Sequence, residues 1–144
     1  MRLFLSGSFF SDDEVLRIGR VKDALEGIGF EVYSTYHRNP PIDLGSKAEK
    51  NRRFRLLCRE IKNSDGVFAI LDGRDAGTIW EMGYAFALGR PMAAFVERDR
   101  YYSLMIDSSS HVVYGFDEID GRLMDFYQTG KPKKGMSPAV RPHE

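Results

Sequence analysis

The apolar run at residues 66–71 constrains the fold of this chain more than any other segment. Its six residues carry no charged or polar side chain, which is typical of a strand buried on both faces of a parallel sheet. The loop that follows then lies at the carboxyl end of that strand, where open α/β sheets bind their ligands. The acidic side chains of this loop are therefore candidates for chemistry.

That loop, residues 72–77, leads into a predicted helix that runs from Thr78 to about residue 88 and carries Glu81 in its first turn. Thr78 and Glu81 have the spacing of a capping box, in which both side chains satisfy free amides at the helix start. Asp72 and Asp75 also fit ordinary turn chemistry beside glycine. Three acids and two glycines within ten residues nevertheless exceed what one cap requires. A chemical role for these acids is therefore a hypothesis beside the structural one.

The rest of the chain alternates strand patterns with helix patterns. Further strands are predicted at residues 2–6, 30–33, 92–96 and 111–114, and further helices at about residues 12–27, 51–62 and 117–127. Repeated strand–helix units with short connections favour a single-domain, flavodoxin-like (Rossmann-like) α/β fold, a parallel sheet with helices on both faces. Residues 1–128 are predicted to form this domain, and residues 129–144 a basic C-terminal tail.

A flavodoxin-like strand order makes the first and third strands neighbours at the point where ligands bind. The small and aromatic turn at residues 7–10 would then face the acidic loop at residues 72–81 across one crevice. Aromatic and carboxylate side chains are therefore predicted to meet there.

The composition of the chain limits which kinds of molecule it is expected to bind and in which cellular compartment it is expected to work. The chain has 144 residues, one domain's worth, and its 21 Lys and Arg equal its 21 Asp and Glu, so no overall charge favours nucleic acid or an anionic membrane surface. The single cysteine, Cys58, and the absence of a signal-peptide pattern favour a cytoplasmic protein. No apolar run approaches the roughly 20 residues of a membrane-spanning helix. Small-molecule partners are therefore favoured.

Two segments carry a resemblance to a known family: Leu3-Phe4-Leu5-Ser6-Gly7-Ser8-Phe9-Phe10, and the block Asp75-x-Gly77-Thr78-x-x-Glu81-x-Gly83. On these residues the chain resembles the nucleoside 2-deoxyribosyltransferases, over most of its length as far as Ile106. The resemblance implies exchange of purine or pyrimidine bases between 2′-deoxyribonucleosides, without cofactor or metal. It also implies a homo-oligomer, a dimer or hexamer, whose active sites are shared between subunits.

The resemblance also implies roles for particular residues. Glu81 falls on the family's nucleophile, and Asp75 on an acid that helps to bind and protonate the base. The residues expected to contact substrate are Phe4, Gly7, Phe9, Phe10, Asn39, Asp72, Ser103 and Met105. Ser103 and Met105 match a segment that a neighbouring subunit contributes, and Asn39 belongs to a polar stretch, residues 34–50, that is long enough to fold over a site or to be a surface excursion. Asp72 is the second candidate for the proton donor.

Three positions depart from the family pattern: Phe4 stands where a tyrosine is usual, Leu57 where an aspartate is usual, and Ser103 where an asparagine is usual. Each departure removes a polar contact, and the tyrosine hydroxyl would ordinarily hydrogen-bond the nucleophile. Two alternatives therefore stay open. One is an N-glycosidase of the same superfamily that hydrolyses nucleosides or nucleoside 5′-monophosphates, with Ser8, Ser11, Arg17 or Ser109 as phosphate ligands. The other is a non-catalytic nucleotide-binding module in which Glu81 only caps its helix.

Overall fold

A parallel β-sheet organises the protein in the computed structural model, which describes residues 1–99 and 103–130. Its strands are β1 Arg2–Ser6, β2 Glu31–Ser34, β3 Gly66–Ile70, β4 Met92–Val96 and β5 His111–Tyr114. The described strands form one sheet in the order β2-β1-β3-β4-β5, and each neighbouring pair is parallel. This is the flavodoxin-like order, so the predicted fold class is confirmed.

Helices cover both faces of the sheet. They are α1 Asp12–Gly27, α2 Thr35–Arg38, α3 Lys47–Lys62, α4 Ala76–Ala87, α5 Leu104–Ser109 and α6 Gly121–Thr129, with a 3₁₀ turn at Phe116–Glu118. On one face, α1 and α6 pack on the sheet through residues such as Val21 and Leu123. On the other face, α3 and α4 pack through residues such as Ile61 and Met82. Within the described residues, no helix combines the length and apolarity needed to cross a membrane.

The central position of β3 explains its uniformly apolar sequence. All five of its residues are buried, because β1 and β4 flank it and helices cover both of its faces. Parallel pairing of β1 with β3, with Ser6 opposite Ala69, brings the carboxyl ends of the two strands together. The crevice predicted from the strand order therefore exists at this edge of the sheet.

Several element boundaries differ from the sequence prediction because capping side chains fix them. Helix α3 begins at Lys47, four residues earlier than predicted, because Ser46 accepts a hydrogen bond from the Glu49 amide at 3.2 Å. The predicted helix at residues 117–127 is instead a 3₁₀ turn followed by α6, because Asp120 caps a new helix start. Helix α5 was not predicted, and β2 begins one residue later than predicted. The predicted basic tail lies outside the described residues beyond Gly130.

Substitution of Gly66 tests how tightly the amino end of β3 is packed. A β-carbon there would lie 2.6 Å from the Tyr127 ring and 2.9 Å from the Pro91 carbonyl oxygen. The ring cannot move freely, because the Tyr127 hydroxyl donates to the Val67 carbonyl at 2.6 Å and accepts from the Ala93 amide at 3.2 Å. We expect Gly66→Ala to lower the free energy of unfolding by about 1–3 kcal/mol in urea denaturation, as overpacking does.

The matched control is Gly19→Ala in α1, where a β-carbon would meet nothing within 4 Å. Alanine is the better helix former, so this change is expected to raise the free energy of unfolding by up to about 1 kcal/mol. Equal stability of Gly66→Ala and the unmodified protein would contradict the tight packing against Tyr127.

Candidate active site

A pocket of about 180 Å³ lies in the crevice between the carboxyl ends of β1 and β3. The turn after β1 contributes Gly7, Phe9 and Phe10 to its wall, and α4 contributes Glu81, with Asp75 just before it. The chain after β2 contributes Thr35 and Tyr36. The structure thus brings together the aromatic turn and the two acids that the sequence predicted would meet.

Glu81 lies in the second turn of α4, not in the first. The helix begins at Ala76, because the Asp75 carboxylate caps it by accepting the Thr78 amide at 3.0 Å. The Thr78 hydroxyl donates to the same Asp75 oxygen at 3.0 Å, so Thr78 does not cap the helix itself. The predicted helix start at Thr78 and its capping box with Glu81 are therefore wrong, and the Glu81 carboxylate is free of any capping role.

The Glu81 carboxylate is held by Ser6, the last residue of β1. The Ser6 hydroxyl donates to Glu81 Oε1 at 2.5 Å. The pKa of Glu81 is raised to about 7: burial is the largest cause, the Ser6 hydrogen bond opposes it, and the negative charge of Asp75 adds to it. Glu81 therefore changes between its neutral and ionised forms close to neutral pH.

The two oxygens of the Asp75 carboxylate have different surroundings. Its Oδ2 accepts both hydrogen bonds from Thr78, which fixes the direction of the carboxyl group. Its Oδ1 receives no hydrogen bond from the described residues, and the side chain lines the same pocket as Glu81. One oxygen is therefore available to a molecule in the pocket.

Aromatic rings form the outer wall of the pocket. The rings of Phe9 and Phe10 stack with centroids 6.3 Å apart, and Phe9 also contacts Tyr36 at 5.6 Å. Phe10 is 84% exposed, which is unusual for phenylalanine and leaves its face free. Flat aromatic molecules such as nucleobases stack on rings of this kind. The acids could thus act on a bond of a ligand in the pocket, while the rings at the rim stack on a flat part of the same ligand.

A family model supports this interpretation: the model for nucleoside 2-deoxyribosyltransferase matches residues 3–116. The chain belongs to the nucleoside 2-deoxyribosyltransferase family. Membership confirms the resemblance seen in the sequence and implies nucleoside substrates. No protein of curated function is similar enough in sequence to count as a match.

Solved structures resemble this family member over most of its length. The 2-deoxyribosyltransferase of Bacillus psychrosaccharolyticus is 25% identical, with a TM-score of 0.75 over 83% of this chain and 90% of that one. A conserved protein of Enterococcus faecalis V583 is 17% identical, with a TM-score of 0.72 over 91% and 99% of the two chains. The CMP N-glycosidase of Clostridium botulinum is 21% identical, with a TM-score of 0.57 over 90% and 97%. The last two share the fold.

Two of the expected substrate contacts do not line the pocket of this family member. Phe4 is fully buried and stacks on Tyr33 with ring centroids 5.5 Å apart, so it belongs to the core under α3 and α4. Asn39 donates to the Tyr33 hydroxyl at 2.7 Å and does not line the pocket. Neither side chain lines the crevice, and their contact with a substrate stays a prediction.

Asp72 is also occupied elsewhere. Its carboxylate is buried and accepts the backbone amides of Glu97 at 2.8 Å, Arg98 at 2.7 Å and Asp99 at 3.0 Å. A second hydrogen bond joins the same two loops, because Asp99 accepts the Gly73 amide at 3.1 Å. Asp72 thus ties the loop after β3 to the loop after β4 and does not line the pocket that Glu81 lines. Its role in substrate binding stays a prediction.

Ser103 and Met105 do not line the pocket of their own chain. Ser103 caps α5 by accepting the Ile106 amide, and the Met105 side chain is 75% exposed. This placement fits side chains that serve another subunit, and it leaves that prediction untested. Residues 100–102, which belong to the same predicted contact segment, lie outside the described residues.

Ser6 is the site residue that the sequence analysis missed. Side chains alternate along a strand, so Ser6 lies on the same face of β1 as Phe4, two residues further toward the crevice. Its hydroxyl thus contacts the acid that a tyrosine at position 4 would be expected to contact in the family. The sequence shows that Ser6 shares a strand face with Phe4, but its contact with Glu81 depends on where α4 lies, which the sequence alone does not give. Tyr36 was missed as well, because the stretch at residues 34–50 gives no helix pattern.

A second cavity of about 280 Å³ adjoins the pocket at Glu81, between α3 and α4. Leu57, the position where the family usually has an aspartate, lines both spaces. Trp80 is 49% exposed at its rim, and its ring lies 5.2 Å from the Phe54 ring between centroids. Cys58 lies in the same wall, where burial and the Glu81 charge raise the pKa of its thiol.

The histidines of the described residues do not form a metal cluster. His37 shares a hydrogen bond with Ser34 at 2.8 Å, and His111 is buried against Phe126. No group of three or more His, Cys, Asp or Glu side chains within residues 1–99 and 103–130 is arranged to hold an ion. His143 lies outside the described residues.

Ser6→Ala tests the contact with Glu81. The hydrogen bond lowers the pKa of Glu81, so its loss is expected to move the rising limb of the kcat/KM profile from about pH 7 to higher pH. Because hydrogen bonds to a charged group contribute about 1.5–3 kcal/mol, kcat/KM at neutral pH should fall roughly tenfold or more. The measurement is kcat/KM for a deoxynucleoside from pH 5 to pH 9.

Ser64→Ala is the matched control, since it removes an equally buried hydroxyl that bonds the Glu60 carbonyl at the amino end of β3. Its pH profile should equal that of the unmodified protein. A Ser6→Ala profile with an unshifted limb would show that Ser6 does not act on the ionisation of Glu81.

Proposed function

We propose that the protein is a nucleoside 2-deoxyribosyltransferase that exchanges the base of a 2′-deoxyribonucleoside through a covalent intermediate on Glu81. The observation that carries the proposal is the position of Glu81, which caps nothing, receives the Ser6 hydrogen bond and lines one pocket with Asp75 and the ring of Phe9. A carboxylate beside the sugar can capture an oxocarbenium-like centre, as in retaining glycosidases.

In the first step, Glu81 attacks C1′ of the deoxyribose while the N-glycosidic bond breaks. The electron pair of that bond goes to the leaving base, and Asp75, which enters this step in its neutral acid form, gives its proton to the base and becomes a carboxylate. A second base then attacks C1′, the ester bond to Glu81 breaks, and the incoming base returns a proton to Asp75. The sugar changes partner with no net change in protons or electrons.

The ionisation of Glu81 sets the pH dependence of this scheme. Only the carboxylate is a nucleophile, and a pKa of about 7 makes it a stronger nucleophile than an ordinary glutamate at the cost of partial protonation at neutral pH. The stacked rings at the rim would hold the base while Glu81 reacts.

Hydrolysis of the nucleoside is the second candidate, and the open rim favours it. Phe10 is largely exposed, so water has access to the intermediate unless a second base or a partner subunit covers the pocket. Recognition of a 5′-phosphate has less support. Ser8 bonds Glu14, Arg17 pairs with Glu97, Ser11 caps α1 and Ser109 bonds carbonyls of its own helix, so the proposed phosphate ligands are already engaged. The alternative of a non-catalytic binding module assumed that Glu81 only caps its helix. Asp75 caps α4 instead, so that alternative has less support.

A homo-oligomer is proposed as the working form. Apolar side chains are exposed at Phe54, Trp80 and Phe86 on α3 and α4, and at Leu104 and Met105 on α5. A second copy of the chain would cover these groups and supply Ser103 and Met105 to a neighbouring pocket. Size-exclusion chromatography with light scattering distinguishes this from a monomer.

Base exchange tests the reaction. The purified protein is incubated with 2′-deoxyinosine with and without adenine, and the products are separated by chromatography. A deoxyadenosine peak that requires adenine supports the transferase reaction. Hypoxanthine released at the same rate with or without adenine would instead support the glycosidase reaction. No product from a wider panel of nucleosides and nucleotides would overturn both.

A further inference from the structure

A third concave surface among the described residues lies on α3, on a different face from the one that borders Glu81. It is a groove of about 500 Å³ between α3 and the chain before it. Its lining consists of four arginines, an acid and two apolar residues: Arg52, Arg53, Arg55, Arg59, Glu49, Ile42 and Leu56. None of these residues lines the pocket that contains Glu81.

The groove is held open by its own contacts. Arg53 donates to the Pro40 carbonyl at 2.6 Å and so ties the preceding loop to α3. Glu49 accepts the Asp43 amide at 3.3 Å, and Ser46 caps the helix between them. One wall is therefore an anchored loop and the other is a helix.

Three of the arginines have no polar partner among the described residues. Arg52, Arg55 and Arg59 make no hydrogen bond or ion pair with any of the described residues. They are three to seven positions apart, so their side chains lie along one side of the helix over roughly 10 Å. Three guanidinium groups thus line one concavity, none of them in an ion pair with a described acid, and Glu49 is the one acid among the described lining residues.

The charge is local, because the whole chain is neutral at 21 basic and 21 acidic side chains. Helix α3 alone carries seven basic and two acidic residues, an excess of five positive charges. One of its two acids, Glu60, pairs with Arg2 instead of with a groove arginine. Such a local field attracts anions even when the net charge is zero.

We propose that this groove binds a small anion with two or more linked phosphates. Guanidinium groups present planar forks that match phosphate oxygens, and Arg52, Arg55 and Arg59 would hold the phosphate chain. Ile42 and Leu56 would underlie any apolar part of the ligand. Both a nucleoside triphosphate and an inorganic polyphosphate have this chemistry.

The shape of the groove favours a small molecule over a nucleic acid. Its volume falls within the roughly 300–1,000 Å³ of ligand sites, and it is closed on one side by the loop at residues 40–45. A nucleic-acid backbone would need a longer open basic track. This site does not rest on the proposed reaction at Glu81.

Isothermal titration calorimetry with sodium tripolyphosphate tests the site on the full chain. We expect binding that weakens about tenfold or more in the double variant Arg55→Gln/Arg59→Gln, because each charge-assisted contact contributes on that scale. The matched control is Arg20→Gln/Lys22→Gln, which removes the same charge from α1 and should change the affinity less than about twofold, within the weak effect of distant surface charges. Circular dichroism melts check that all variants are folded.

Two further arms identify the source of the phosphates. Tighter binding of dATP than of tripolyphosphate, lost in the α3 variant but not imitated by deoxyadenosine, would assign the groove to a nucleotide. Equal binding of the two would assign it to a free phosphate chain. The proposal is overturned if neither binds, if the α3 variant binds as well as the control, or if a single-stranded oligonucleotide shows α3-dependent binding while tripolyphosphate does not. It is also overturned if the α3 variant changes only the oligomeric state.

Discussion

Glu81→Gln is expected to lower kcat for base exchange by at least about 1,000-fold, since loss of a nucleophile that acts with its partners is costly. Glutamine has nearly the shape of glutamate and can still accept the Ser6 hydroxyl, but it cannot form a stable ester with C1′. The measurement is the rate of deoxyadenosine formation from 2′-deoxyinosine and adenine. Glu26→Gln, which changes an exposed acid on α1, should keep full activity.

The stability of the same variant separates loss of chemistry from loss of fold. The pKa of Glu81 in the folded protein, about 7, lies above the ordinary value of 4.5, so the folded state holds the proton more tightly than the unfolded state does. The stability of the unmodified protein therefore falls as pH rises from about 4.5 to 7, by at most about 3 kcal/mol from this group. Glutamine does not ionise, so Glu81→Gln does not lose this stability as the pH rises. It should be more stable than the unmodified protein at pH 8 and no more stable at pH 4, as measured by urea denaturation. A variant that is inactive because it is unfolded at pH 8 would contradict this account.

Asp72→Ala is expected to lower the free energy of unfolding by about 3 kcal/mol or more, because three backbone amides lose a charged acceptor in a buried position. The measurement is urea denaturation at neutral pH. Asp23→Ala, which removes an exposed acid from α1, should change the stability by less than about 0.5 kcal/mol.

The two acids thus separate by the kind of damage that their loss causes. Glu81→Gln should remove activity and leave a stable protein, whereas Asp72→Ala should remove stability. An Asp72→Ala protein that is fully stable but inactive would restore Asp72 to the chemistry and contradict its role as a tie between two loops.

The sheet was predictable because its signals are local. The runs at β1, β4 and β5 are apolar enough to be placed to the residue, and β3 has the continuous apolar pattern of a strand covered on both faces. The order of the strands followed from general rules on connections between parallel strands. The confirmed crevice is a direct consequence of that order.

Helix boundaries were less predictable because neighbouring residues compete for the same cap. Asp75 and Thr78 both have capping side chains, and the choice depends on how the chain leaves β3. Asp75 caps the helix, so Glu81 moves from the first turn to the second. Local sequence contains both solutions, and only the tertiary path selects one.

The candidate site was predictable where a motif carried it and not where a long-range contact did. Glu81, Asp75 and Phe9 were placed together by the motif and the strand order. Ser6 required the register between β1 and β3 and the position of α4, contacts that span more than sixty residues of chain. Phe4 was assigned to the site by resemblance and Asp72 by its place in the acidic loop, whereas the structure stacks Phe4 on Tyr33 and engages Asp72 with backbone amides.

The most direct test of the central claim is mass spectrometry of the protein quenched with acid during turnover of 2′-deoxyinosine. The account predicts a fraction of protein that is heavier by one deoxyribosyl group, with the modification on the peptide that contains Glu81 and absent from Glu81→Gln. A protein that turns over the nucleoside with the modification on another residue, or that stays active as Glu81→Gln, would contradict it.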